Sequence, residues 1–242
     1  MRNIKLTIAY DGSSFFGFQI QPGIPTIQGT IESALSQVMK EDIRIIGSGR
    51  TDAGVHAINQ VINFTTNSFI PVEKIPIAMN SIITPSIVVK DAEEVSLDFN
   101  ARLSARSRTY IYVIYSAKEP SPFLKNYAWY LKKKPEIEVM RNALPIFIGK
   151  HDFTGFSKSD GEGTIREVYR IDFLERGSFL LFYIKANAFL RGMVRLIVKA
   201  LVDVGNREIG PERLKYILES KERGLVKGIA SPYGLYLYKV EY

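Results

Sequence analysis

The stretch Gly47-Ser48-Gly49-Arg50-Thr51-Asp52-Ala53-Gly54-Val55-His56-Ala57 lies between two apolar runs of the chain. Its three glycines let a backbone turn sharply or be approached closely. The loop presents Arg50, Asp52 and His56. An aspartate is ordinarily ionised at neutral pH, and a neighbouring guanidinium favours that form. Asp52 thus offers the negative oxygen that a nucleophile or general base requires. The competing reading is a turn aspartate that accepts backbone N–H groups beside a surface arginine. The glycine spacing matches neither the P-loop nor the dinucleotide fingerprint, so no nucleotide cofactor is implied.

Two further constellations carry charge beside aromatic rings. In Arg102-Leu103-Ser104-Ala105-Arg106-Ser107-Arg108-Thr109-Tyr110-Ile111-Tyr112, a strand would place Arg106, Arg108, Tyr110 and Tyr112 on one face. Cations followed by aromatics suit phosphate contact and base stacking. Equally, the tyrosines could pack in the core while the arginines stay wet. Further on, a helix over Ala188–Val204 would carry Phe189, Met193, Ile197 and Ala200 on one stripe and Arg191, Arg195 and Lys199 on another. Such a cationic stripe either tracks a phosphate backbone or is a solvated face.

The elements that must position these residues follow from periodicity. Residues 4–10 alternate as a strand. Thr26 reads as an N-cap, with Ile27, Ile31, Leu35, Val38 and Met39 at helical spacing behind it. Ile43–Ile46 and Val61–Thr65 read as strands, Val72–Ile82 as a helix disturbed by Pro76, and Ile87–Val95 as a strand. The order βαββαβ then recurs. Arg106–Tyr115 is a strand, Pro135–Ile148 a helix bent by Pro145, Arg166–Leu174 and Phe179–Lys185 a hairpin, and Gly234–Tyr242 a last strand. Asn187 is expected to cap the helix that Gly205 stops, and Pro211–Ser220 is an extra helix. The expected fold is α+β: two tandem ferredoxin-like halves, 1–100 and 101–242, joined as one mixed, mostly antiparallel sheet with a central cleft.

Composition narrows the function. The chain has 242 residues, no cysteine and only two histidines, His56 and His151, which excludes disulfides, a thiol nucleophile and a zinc–thiolate site. No apolar run is long enough to span a membrane, so a soluble, cytoplasmic protein is expected. Residues 1–100 hold seven Lys/Arg and ten Asp/Glu, whereas residues 101–242 hold 25 and 15. The positive excess is confined to the second half, where it would meet a polyanion, nucleic acid before membrane surface. The Lys132-Lys133-Lys134 run reads as solvated.

Taken in order, these segments resemble the tRNA pseudouridine synthase A family nearly end to end. The resemblance is carried by Tyr10-Asp11-Gly12, Gly17-Phe18-Gln19, the Arg50–Ala57 string, Phe99-Asn100-Ala101-Arg102 and Tyr110-Ile111-Tyr112. His151-Asp152-Phe153-Thr154, Lys185–Leu190, Met193-Val194-Arg195 and Gly234-Leu235-Tyr236-Leu237 complete it. Phe18 stands where the family often has Trp, and Gly192 where a larger polar residue is usual. The resemblance implies conversion of uridine to pseudouridine at positions 38, 39 and 40 of the tRNA anticodon stem-loop. It also implies a homodimer, with neither cofactor nor metal. It makes Asp52 the catalytic residue, Tyr110 the ring packed on the base, Arg50 a contact to RNA and Arg195 the basic partner of Asp52. Attack by Asp52 at C1′, attack at C6 and removal of the C2′ proton all remain open. The rival function is a non-catalytic tRNA-binding protein or chaperone.

Overall fold

Alternation along residues 2–10 becomes the first strand, β1 (Arg2–Tyr10), with Ile4, Leu6, Ile8 and Tyr10 buried. The structure, a computed structural model, describes residues 1–158 and 163–242. They fall into two compact units, Met1–Arg106 with Tyr236–Tyr242, and Ser107–Leu235. The first continues with α1 (Ile27–Met39), β2 (Ile46–Gly47), β3 (His56–Thr66), α2 (Ile75–Asn80) and β4 (Ile87–Val95). This is the expected βαββαβ order. β1 runs antiparallel to both β3 and β4, and β2 pairs antiparallel with β3. The arrangement β4-β1-β3-β2 is that of a split βαβ unit.

α1 begins where the sequence places it. Thr26 has extended backbone and its hydroxyl accepts the Gly29 N–H at 3.3 Å. Ile27, Ile31, Leu35 and Met39 are buried, and so is Glu32. Glu32 explains why the expected strand at Ile43–Ile46 shrinks to Ile46–Gly47. Its carboxylate accepts the Ile45 N–H at 3.1 Å and a guanidinium N–H of Arg44 at 2.9 Å, while Ser36 Oγ accepts the Ile43 N–H at 3.1 Å. Helix side chains thus satisfy donors that a ladder would otherwise take. Pro76 falls in the first turn of α2, where its missing N–H costs nothing, so the helix starts there.

The second unit holds β5 (Ser107–Ser116), β6 (Trp129–Leu131), α3 (Ile137–Ala143), β7 (Gly149–Asp152), β8 (Ile165–Arg176), β9 (Phe179–Ala186), α4 (Met193–Gly205) and α5 (Pro211–Ser220). β9 lies antiparallel between β5 and β8, β7 extends β8, and β6 runs parallel beside β5. Pro145 ends α3 in a 3₁₀ turn over Leu144–Phe147, the bend expected of it. Two expectations for α4 are corrected. The helix starts at Met193, after Gly192 at φ +74°, and Asn187 does not cap it. The Asn187 side-chain oxygen instead accepts the N–H groups of Glu167 and Ala188. α4 is also buried on nearly all sides, which is why a single apolar stripe misdescribes it. Gly205 ends α4 where a Cβ would lie 2.7 Å from both Met140 Cγ and Pro135 Cβ. Lys134 of the lysine run pairs with Glu175.

The final strand, β10 (Leu235–Glu241), pairs parallel with the start of β3, Tyr236 opposite His56 and Leu237 opposite Ala57. The observed class is α+β, with mixed and mostly antiparallel pairing, as expected.

A buried amide pair ties the first unit together. Asn63 Nδ2 donates to Asn3 Oδ1 at 3.0 Å, and Asn63 Oδ1 accepts the Ala101 N–H at 2.8 Å. Asn3 Nδ2 donates to the carbonyls of Ser96 and Phe99. The Phe99–Arg102 motif is thereby docked on β1 and β3. Asn63→Ala leaves a buried acceptor and a buried donor unpaired. We expect it to lower unfolding free energy by roughly 2–4 kcal/mol, read from the urea midpoint.

Candidate active site

The loop between β2 and β3 is held by backbone packed directly against backbone. Gly12 lies so close to Val55 that a Cβ would stand 1.9 Å from the Val55 carbonyl oxygen. Gly17, at φ +96°, places its Cα beneath the Asp52 peptides, and a Cβ there would meet Thr51 O at 3.0 Å and Ala53 N at 3.3 Å. The Phe18 N–H donates to Thr51 O at 3.0 Å. The Phe18 ring is buried against Gly47, whose missing Cβ would otherwise sit 2.6 Å from Phe18 Cζ. Within the loop, the Val55 N–H donates to Asp52 O at 3.2 Å and closes a turn, with Gly54 at φ +78°. Segment 10–18 is therefore the floor of the loop. The sequence motifs mark both pieces without joining them. The signal was the glycine at 12 and 17, residues that allow such approach.

Polar groups complete the floor. The Tyr10 hydroxyl is buried 2.9 Å from Thr51 Oγ1. Gln60, fully buried on β3, accepts the Ser48 hydroxyl at 2.5 Å and donates to Gly49 O at 2.8 Å. Burial pushes the Tyr10 hydroxyl up from 10 to about 12, against the pull of the polar Thr51 and Gln60 side chains.

On this frame Asp52 is half-buried and Arg50 is exposed. His56 departs from the expectation that the loop presents it. It opens β3 at 2% exposure, accepts the Gly12 N–H on Nδ1 at 3.1 Å and stacks on Tyr236 with centroids 4.7 Å apart. Its Nδ1 also lies 3.2 Å from Asp11 Oδ1. The imidazole braces the loop's exit.

Tyr110 and Arg195 belong to the second unit. Tyr110 stands opposite Ile184 on the β5–β9 ladder, buried, with its ring edge-on to Phe189 at 5.0 Å. Tyr112 is a core residue: it is fully buried and its hydroxyl donates to Ser231 O at 2.7 Å. Burial pushes that hydroxyl well above the usual range, and the charge of Arg195 pulls the other way. Arg108, Tyr110 and Tyr112 follow an unbroken register on β5 and share the expected face, but both tyrosines on it are buried, as the core reading of this strand has it. Arg106 precedes β5 and donates its N–H to Glu241 O, Arg108 donates to Asn187 O, and Tyr112 is internal. Arg195 is half-buried on α4, its Nε donating to Ala230 O at 2.8 Å. Lys199 pairs with the buried Asp203, and Arg191 precedes the helix, so the expected cationic stripe is not continuous. Gly192 has a reason to be glycine, since φ +74° is a conformation that side chains rarely adopt.

Among the described residues, no group of three or more His, Asp or Glu could hold a metal ion, and no helix is long and apolar enough to cross a membrane.

Comparison with known proteins places the chain in a class. The sequence model described as tRNA pseudouridine synthase matches residues 6–103 and 143–242. The chain is 46% identical over 244 aligned positions to tRNA pseudouridine synthase A of Caldicellulosiruptor bescii, covering 100% of each. It is 43% identical to tRNA pseudouridine synthase A 2 of Clostridium perfringens, again over 100% of each. It is 42% identical to tRNA pseudouridine synthase A of Thermotoga neapolitana, over 99% of each. In shape, the chain matches a chain of the archaeal box H/ACA sRNP Nop10–Cbf5 complex at TM-score 0.35 and 12% identity, over 81% of this chain and 43% of that one. The sequence relatives define the class as isomerases that make pseudouridine. The chain belongs to the tRNA pseudouridine synthase family.

Two outcomes test the floor. Gly12→Ala forces a methyl into the Val55 carbonyl and is expected to cost about 3 kcal/mol or more. Gly49→Ala, with nothing within 4 Å of its Cβ, should change the thermal midpoint little by comparison. An unfolded Tyr10 releases its proton near 10, the folded one near 12. The folded state therefore holds more proton between these values, and its stability falls as pH rises through them. Tyr10→Phe should flatten that alkaline loss, measured by urea midpoints at about pH 9 and about pH 11.

Proposed function

We propose that this chain isomerises uridine to pseudouridine at positions 38, 39 and 40 of the tRNA anticodon stem-loop, with Asp52 acting on the target nucleotide. The observation that carries the reading is a half-buried carboxylate on a rigidly floored loop, in a chain of this family. The reaction breaks the N1–C1′ bond, turns the base and joins C5 to C1′. No electrons are gained or lost overall, so an acid–base or nucleophilic carboxylate is chemically sufficient. Attack at C1′, attack at C6 and removal of the C2′ proton each need that carboxylate ionised and shielded from water, and a shielded anion needs a cation. Arg195 is assigned that role because a guanidinium stays charged and can bond a carboxylate through two N–H groups.

Reaching the base means unstacking it, at a few kcal/mol, and an aromatic ring offsets part of that cost. Tyr110 is the ring assigned to the base, and the exposed Arg50 suits contact with RNA. The basic excess of residues 101–242 docks the phosphate backbone, so tRNA affinity falls as salt rises. Two copies of the chain form the working unit, and it acts in the cytoplasm.

Asp52→Asn is expected to keep tRNA affinity and to lose turnover by about 10⁴-fold or more. Release of tritium from C5-labelled tRNA reads that turnover, and activity near the parent's would overturn the assignment. Arg195→Leu should damage turnover more than affinity, while a loss confined to affinity would make Arg195 a phosphate contact. Tyr110→Phe should retain binding if stacking dominates.

A further inference from the structure

Beneath the loop lie two sets of buried hydrogen bonds. Gln60 is the hub of the first. Its Oε1 accepts the Ser48 hydroxyl at 2.5 Å and the Val61 N–H at 3.2 Å, which uses both lone pairs. Its Nε2 donates to Gly49 O at 2.8 Å. Beside this cluster the Tyr10 hydroxyl and Thr51 Oγ1 share a buried hydrogen bond at 2.9 Å, in which either oxygen can donate.

A phenylalanine would fill the same volume at the end of β1 without a buried hydroxyl to satisfy. The hydroxyl is therefore informative about what the site requires. Its partner, Thr51, immediately precedes Asp52 and is 7% exposed. The Thr51 carbonyl accepts the Phe18 N–H, and Gly17 lies against it. One residue before the carboxylate, side chain and main chain are thus both tethered. One turn after it, the Val55 N–H closes on Asp52 O.

We propose that Tyr10 is a positioning residue, whose hydroxyl acts through Thr51 to fix the backbone from which Asp52 projects. This rests on the reading of Asp52 as the catalytic carboxylate. Asp52 has only two side-chain torsions, so where its oxygens lie is set mainly by the backbone of residues 51–53. A displacement of about 1 Å at a reacting group costs on the order of 100-fold in rate. Substrate affinity, spread over many phosphate contacts, is insensitive to it.

The test measures kcat and KM on full-length tRNA transcript, together with thermal midpoints, for Tyr10→Phe, Thr51→Val, their double variant, Thr51→Ser and Asp52→Asn. Assays run well below every midpoint. Tyr10→Phe and Thr51→Val should each lower kcat by roughly 10- to 100-fold with KM within about threefold. The double variant should be no worse than the worse single one, because both break the same bond. Thr51→Ser keeps the hydroxyl and should recover most of the rate lost in Thr51→Val. If Tyr10→Phe fails to fold, Thr51→Val against Thr51→Ser carries the same comparison. The proposal is overturned if kcat of Tyr10→Phe stays within about twofold of the parent, if losses in the two single variants simply multiply, or if Thr51→Ser is as slow as Thr51→Val. An inactive Asp52→Asn beside a fully active Tyr10→Phe removes the positioning role alone. An active Asp52→Asn removes the reading of the site, and the positioning role with it.

Discussion

The contact between Gly12 and the Val55 carbonyl leaves no room for a side chain, and the geometry of the loop follows from it. Two segments more than 30 residues apart in sequence meet there with main chain against main chain. Such an approach is available only to glycine, and it transmits the placement of β1 directly to residues 51–56. Around it, Tyr10, Thr51, Gln60 and His56 satisfy the polar groups that a buried loop would otherwise strand. A carboxylate carried on so constrained a loop needs little reorganisation to act, which is the condition electrostatic and nucleophilic catalysis share.

The first unit was largely legible because its signals are local. Alternation gives β1, and a threonine followed by apolar residues at helical spacing gives α1 with its cap. Glycine and ionisable residues concentrated at positions 47–57 mark the loop. What escaped depends on distant partners. Nothing near Ile43–Ile46 in the sequence shows that Glu32 and Ser36 will take its N–H groups. β6 and β7, of three and four residues, are too short for periodicity to register. His56 shares the glycine-rich stretch with Arg50 and Asp52 in the sequence, yet its ring is committed to Gly12 and Tyr236.

Charge and structure divide the molecule differently from sequence order. The acidic half carries the loop, and the basic half carries Arg195 on a helix that is otherwise nearly all core. α4 keeps only Arg195 and Lys199 partly in contact with solvent, each with a defined partner in Ala230 O or Asp203. A cation held in this way has lost much of its conformational freedom before any ligand arrives, so a further ion pair made there costs less entropy than one made by a free lysine.

The return of residues 236–242 to the first unit has a consequence for biosynthesis. Ser107–Leu235 is one unbroken stretch, so every residue of its unit is made before β10 is complete. The first unit cannot add its parallel neighbour to β3, or stack Tyr236 on His56, until residues 236 and 237 have been made, after the whole of the second unit. The loop that bears Asp52 is therefore braced late, by a closure spanning about 180 residues. Such long-range closure is slow compared with local helix and hairpin formation.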